Sequence, residues 1–366
     1  MRVAYFAPLP PARTGVADYA AALLAVLRRH GSVEPHARRA DIALYHLGNN
    51  QLHREIYRRA LAQPGVVVLH DAVLHHFLLG ALDQAAYIEE FVYNYGEWNR
   101  ALAEDLWRGR AKSGFDRRYF EYPMLKRIAE RSRAMVVHNP AAARMVREHA
   151  PNAAVIEIPH LFAPPELPPG WEAIRMRQSL GVPTHESLFG VFGYLRESKR
   201  LFAVLRAFGR LRKAQPDTRL LIAGSFVSSD LERAAAPLLT APGVVRLPYL
   251  AERDFWRGAL AVDACINLRY PAAGETSGIA IRLMGVGKPV LLTDGEENSH
   301  YPAAACLRVE SGVAEEDSLW HNMFLLTSMK ECAGEIGLRA SGYIVERHQA
   351  VQIAEQYWNT LCAFRQ

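Results

Sequence analysis

A chain of 366 residues, half of them hydrophobic and 22% charged, exceeds the size at which one core usually stops growing, so two domains are expected. No apolar run approaches the ~18 residues that a bilayer crossing needs, and the opening segment lacks the long apolar core of an export signal, so a membrane-spanning enzyme is excluded and the cytoplasm is the expected location. The formal charge of +5 lies entirely in residues 1–183, with 23 Lys and Arg against 18 Asp and Glu, and the four cysteines Cys265, Cys306, Cys332 and Cys362 form no CxxC pair, which excludes a zinc ribbon and a disulfide framework.

The first half alternates short apolar runs with helical stretches, the pattern of a parallel sheet covered by helices. Strands are predicted at 3–9, 41–48, 65–71, 134–139 and 154–160, with a helix over 16–31. Between residues 100 and 133, ten basic side chains outnumber five acidic ones, and Trp98, Trp107, Phe115, Tyr119 and Phe120 are interleaved with them. Such a stretch forms either a solvated arginine-rich face or a surface for peripheral contact with anionic lipid. Nucleic acid is not an expected partner. Pro164, Pro165, Pro168 and Pro169 cannot continue a helix or sit in a central strand, so 164–184 is predicted as a linker.

A second alternation follows, with strands at 187–193, 218–224, 244–250, 264–270 and 289–294. Helices are predicted from about 199 to 214, near Leu231, from Glu252 and from Ser277. The terminal segment has apolar residues at helical spacing and is predicted as one helix over 343–366, returning to the first domain. The expected division is 1–163 with 343–366 as one Rossmann-like domain and 185–342 as the other. Ligands bind beyond the carboxyl ends of strands in open α/β sheets, so an interdomain cleft is the expected place for chemistry.

Four segments could carry it. In 271–294, Gly274 and Gly278 bracket Glu275, Thr276 and Ser277 before a helix, whose free N–H groups favour an anion; the plain alternative is a capped helix after a turn. In 189–208, Arg196, Lys199 and Arg200 gather at a helix start after Gly193, where a diphosphate could be gripped; the alternative is an exposed basic helix end. This spacing is neither a P-loop nor a dinucleotide fingerprint. At 8–19, Gly15 opens a helix and would let a ligand approach the backbone, or simply serve a tight turn. At 66–76, His70 and Asp71 end a buried strand; His70 could hydrogen-bond or exchange a proton with a ligand, or be a satisfied core histidine. A metal held by His70, Asp71, His75 and His76 is disfavoured by the spacing.

Together these segments resemble the retaining glycosyltransferases of the GT-B fold, similar to glycosyltransferase family 4. The resemblance rests on the Gly15 loop, Leu69-His70-Asp71, the frame Gly193, Leu195 and Lys199, the Glu275 loop, the GKPV run at 287–290 and the terminal helix. It implies two facing doubly wound domains and transfer of a hexose-type sugar from a nucleotide-diphosphate donor to a glycan, lipid-linked or small-molecule acceptor. Retention would come from attack on the face that the nucleotide leaves. In the resemblance Lys199 binds the diphosphate, Glu275 the sugar hydroxyls, and the amides of Thr276, Ser277 and Gly278 the phosphate or sugar. Gly15 lies near the phosphate and acceptor, His70 near the reacting sugar, and Tyr249 and Leu250 near the base. No cofactor or metal ion is implied. Two positions depart from the family: Tyr194 stands where an arginine is frequent, leaving Arg196 or Arg200 as the second cation, and Arg282 stands where a ribose-binding glutamate is usual. Arg282 can instead grip a phosphate or form an internal ion pair. These departures favour one alternative, a sugar-nucleotide-binding subunit without turnover; the shared architecture leaves another, a GT-B sugar-nucleotide epimerase or phosphorylase.

Overall fold

A computed structural model describes residues 1–365. Its contacts divide the chain into two compact units, Met1–Ala163 with Pro271–Gly278 and His348–Gln366, and Pro164–Tyr270 with Ile279–Arg347.

The first unit is built on six parallel strands, β1 (Arg2–Phe6), β2 (Ser32–Pro35), β3 (Ile42–Leu47), β4 (Val66–Leu69), β5 (Ala134–Val137) and β6 (Val155–Glu157). They lie in the order β2-β1-β3-β4-β5-β6. Every residue of β4 and β5 is buried, because helices cover both faces; this explains runs such as VVVL without polar alternation. One face carries Tyr45, Phe77, Phe91 and Tyr119, and the other Tyr5, Leu23, Leu27 and Tyr357. The helix Gly15–Leu27 starts where the Thr14 hydroxyl accepts from the Ala17 N–H at 3.1 Å. The helix Pro140–His149 starts at Asn139, whose side chain accepts from the Ala142 N–H at 2.9 Å. Both are side-chain caps that satisfy a first-turn donor.

The second unit repeats the plan with β7 (Ser187–Phe192), β8 (Thr218–Ala223), β9 (Val244–Leu247), β10 (Ala264–Asn267), β11 (Val290–Thr293) and β12 (Leu307–Val309). Here the order is β12-β11-β10-β7-β8-β9. The first strand therefore lies third from one edge, whereas in the first unit it lies second.

Three features differ from the sequence expectations. The short strands β2 and β12 were not expected, because edge strands of three or four residues carry too little apolar pattern to be seen. The stretch expected as a linker holds a helix, Gly170–Ser179, with Glu172 and Arg177 buried; Arg177 donates to Ala261 O at 2.8 Å. The terminal segment is two helices, Lys330–Arg347 and Ala350–Ala363. The break falls at His348, whose Nδ1 donates to His160 O while its carbonyl accepts from the Phe162 N–H at 2.7 Å. Residues from His348 onward belong to the first unit, and those before it to the second. Among the described residues, no helix is long and apolar enough to cross a membrane.

Candidate functional site

In the second unit the strand order reverses between β7 and β10, which is where an open α/β sheet leaves a crevice at its carboxyl ends. Gly193 follows β7 with φ +89°, and a Cβ there would lie 2.6 Å from Ile279 Cδ1 and 3.4 Å from Lys199 Nζ. Only glycine lets the helix Gly278–Gly285 and the Lys199 ammonium approach the turn together. Lys199 is buried, and its ammonium donates to Phe192 O. Among the described residues no carboxylate pairs with it. Burial, and then the neighbouring Arg269 and Arg196, hold its pKa well below the usual lysine value. Arg196 is exposed. The carboxyl edge of this sheet thus gathers cationic groups around a buried ammonium that no carboxylate neutralises.

The other basic residues of this region are engaged. Arg200, a candidate second cation from the sequence, grips the buried Glu315 carboxylate with contacts of 2.7 to 2.9 Å, which leaves Arg196 for the second cation. Arg282 pairs with Glu252 and lies over the rings of Phe255 and Trp256 at 4.2 and 4.5 Å. Of its two sequence readings, the internal ion pair is the one observed. Tyr249 and Leu250 follow β9; Tyr249 is exposed and Leu250 half-buried.

The first unit presents a different edge. His70, directly after β4, is buried, and its Nε2 lies 2.9 Å from His46 Nδ1. His46 Nε2 is buried without a partner, and a bare acceptor there is less costly than an unmet N–H donor, so the shared proton belongs on His46 Nδ1. His70 then carries its own proton on Nδ1. His138 follows β5 and donates from Nδ1 to Ile158 O at 2.9 Å. The rings of His70, His138 and His160 stand 4.9, 5.2 and 4.5 Å from that of Tyr19, whose hydroxyl meets Tyr357 at 2.8 Å. Burial, then neighbouring imidazoles, pushes the pKa of His46 and His70 well down. Burial also takes His53 and His138 down to about 4. These imidazoles are therefore held neutral.

Of the histidines weighed as metal ligands, His75 donates from Nδ1 to Tyr122 O at 2.8 Å and accepts at Nε2 from the Tyr87 hydroxyl at 2.7 Å. Neither nitrogen is open to an ion. His76 lies 3.2 Å through Nε2 from Ser113 O. Asp71 Oδ2 accepts from the Asn49 N–H at 2.7 Å.

The loop Pro271–Gly278 packs in the first unit although the sequence expectation put it in the second domain. The Ala72 N–H donates to Ala273 O at 2.7 Å, and Asn139 Nδ2 donates at 2.9 Å to both Gly274 O and Thr276 Oγ1. Gly274 has φ +65°, and a Cβ there would lie 2.6 Å from Ala72 Cβ. Glu275 Oε2 accepts from the Ala273 N–H at 2.6 Å, closing the turn, and Ser277 is half-buried. A Cβ at Gly278 would stand 3.5 Å from the His160 ring. Gly15 is exposed, and a Cβ there would meet nothing, so the fold itself does not demand glycine at that position.

The sequence reading missed His46, Asn139 and Arg269. Asn139 was legible as a helix cap before Pro140, but its grip on a loop 135 residues later was not. His46 had no signal beyond its place at the end of an apolar strand.

No protein-family model matches the sequence, and no curated protein matches it at the level of sequence. Solved structures do match. Anabaena HepE in complex with UDP-glucose has a TM-score of 0.66 at 13% identity, over 99% of this chain and 100% of that one. Sucrose-phosphate synthase from Thermosynechococcus elongatus reaches 0.68 at 15% identity, over 99% and 100%. WaaG, a glycosyltransferase involved in lipopolysaccharide biosynthesis, reaches 0.61 at 13% identity, over 98% and 99%. The fold is the mixed α/β GT-B fold, two Rossmann-like units with a six-stranded parallel sheet in each.

Proposed function

We propose that this protein is a glycosyltransferase that takes a hexose-type sugar from a nucleotide-diphosphate donor and passes it, with retention, to a glycan, lipid-linked or small-molecule acceptor. The observation that carries the reading is the buried Lys199 ammonium at the β7–β10 crevice, with no carboxylate against it and two guanidinium groups acting on it. Burial drives a lysine held this way toward its neutral form until an anion arrives, and a diphosphate supplies the missing charge. The presence of UDP and UDP-glucose in HepE structures of the same fold supports a nucleotide sugar as that anion.

In this reading Lys199 and Arg196 stabilise the charge that builds on the departing diphosphate, the largest contribution such a site can make. They take the role a metal ion would otherwise have, so none is required. Glu275 and the amides of Thr276, Ser277 and Gly278 hold the donor sugar, and His70 offers its Nδ1–H to the reacting sugar. Gly15 leaves room for the phosphate or acceptor, and Tyr249 and Leu250 border the base. The acceptor attacks on the face that the nucleotide leaves, and the leaving phosphate takes its proton. An anionic membrane surface is a further partner, through exposed Trp98, Phe115 and Lys112. The nearby Arg100, Arg118 and Arg127 already pair with carboxylates, so sedimentation with anionic vesicles should depend on the two aromatic residues.

The test is calorimetry and donor turnover with a panel of nucleotide sugars on the full chain and on Lys199→Met. The wild type should bind and turn over at least one donor. Loss of a charge-assisted contact worth roughly 1.5 to 3 kcal/mol should weaken nucleoside diphosphate binding in the variant by about 10- to 150-fold. Binding without turnover would instead support the non-catalytic subunit, and equal affinity in the variant would remove Lys199 from the site.

A further inference from the structure

Asn267 ends β10, next to the strand after which Lys199 is anchored. It is 3% exposed, and both of its amide atoms, Nδ2 and Oδ1, are buried without a hydrogen-bond partner among the described residues. A buried primary amide with neither donor nor acceptor satisfied is rare and costly. Hydrophobic residues fill the neighbouring positions of the strand, so an apolar side chain would suit the fold better.

Its place explains what the amide is for. Alternation along β10 and just beyond it puts Cys265, Asn267 and Arg269 on one face, while Ile266 and Leu268 face the core on the other. Lys199 acts electrostatically on both Cys265 and Arg269. Asn267 therefore sits between the two residues of its strand that sense the ammonium. A lysine ammonium has three protons to give, and among the described residues only Phe192 O accepts one from Lys199.

We propose that Asn267 is a binding residue of the anion site. Nδ2 donates to a phosphoryl oxygen of the bound diphosphate, and Oδ1 accepts a hydrogen bond from the Lys199 ammonium. The inference rests on the diphosphate reading of this site and names a neutral group that discriminates among anions by hydrogen bonding rather than charge. The ligand-free protein is left with the unsatisfied amide, and the ligand relieves it.

The experiment compares wild type, Asn267→Leu and Asn267→Asp by thermal unfolding and by calorimetry, with UDP and inorganic pyrophosphate as probes. Asn267→Leu should raise the unfolding midpoint of the free protein while weakening both probes at least 10-fold. Asn267→Asp places a carboxylate beside Lys199; it should raise the midpoint further and weaken both probes more than the leucine does. If either variant binds the probes as well as wild type, the proposal is overturned. A lower midpoint in both variants also overturns it, because the amide is then a structural group already satisfied. Should wild type bind neither probe, the diphosphate reading itself fails, and the midpoints still report separately on whether the amide is unsatisfied.

Discussion

The two sheets have the same number of parallel strands and are covered by helices on both faces, yet their carboxyl edges carry opposite chemistry. The first unit ends its strands in neutral imidazoles around Tyr19, with His46 and His70 sharing one proton. The second carries cationic groups after β7, with Lys199 buried and Arg196 exposed. Backbone topology supplies a crevice in each case, because parallel strands all deliver their loops to the same edge. What fills the crevice depends on a few side chains at strand ends.

That contrast can be broken most severely at the boundary between engaged and available cations. Arg200 is one residue from Lys199 but bonded to Glu315, whose side chain is 3% exposed. Arg200→Met should destabilise the protein by about 3 to 5 kcal/mol, since it leaves a buried carboxylate without its partner. Urea unfolding measures the loss, and nucleoside diphosphate affinity at a temperature where the variant is folded should stay at the wild-type value. A variant as stable as wild type would mean that the two arginines are not divided as described.

The neutral edge is sharpened by acid. Burial holds His53 and His138 at about 4 in the folded protein, against about 6.5 for a free imidazole. The unfolded chain therefore binds more protons between those values. Stability is fully present above about pH 6.5 and falls by roughly 1.4 kcal/mol per pH unit for each such imidazole as the pH drops toward 4. His46, His70 and His160 are pushed down in the same direction. Urea midpoints between pH 7 and 5 should fall steeply, and a flat profile would show that the imidazoles are not held neutral by burial.

The smallest expected effect lies at Gly15. Because a Cβ there meets nothing, Gly15→Ala should shift unfolding free energy by less than about 1 kcal/mol, toward stability. Turnover should nevertheless drop, since the methyl group fills space left for a ligand. Unchanged turnover would leave this loop out of the site.

Much of this architecture is written locally. Short apolar runs such as VVVL and AMVV require burial on two faces, and Thr14 and Asn139 cap helices using contacts three residues long. Such patterns are enough to define two doubly wound units and to single out Gly193, Lys199 and the Glu275 loop as residues to watch. Only the folded chain could decide which cations remain available and where the loop packs. Arg200 meets a glutamate 115 residues away, and Asn139 holds a loop 137 residues distant through Thr276. Strand periodicity is a property of neighbours, whereas neutralising a charge or leaving an amide such as that of Asn267 unsatisfied depends on groups brought together from remote parts of the chain.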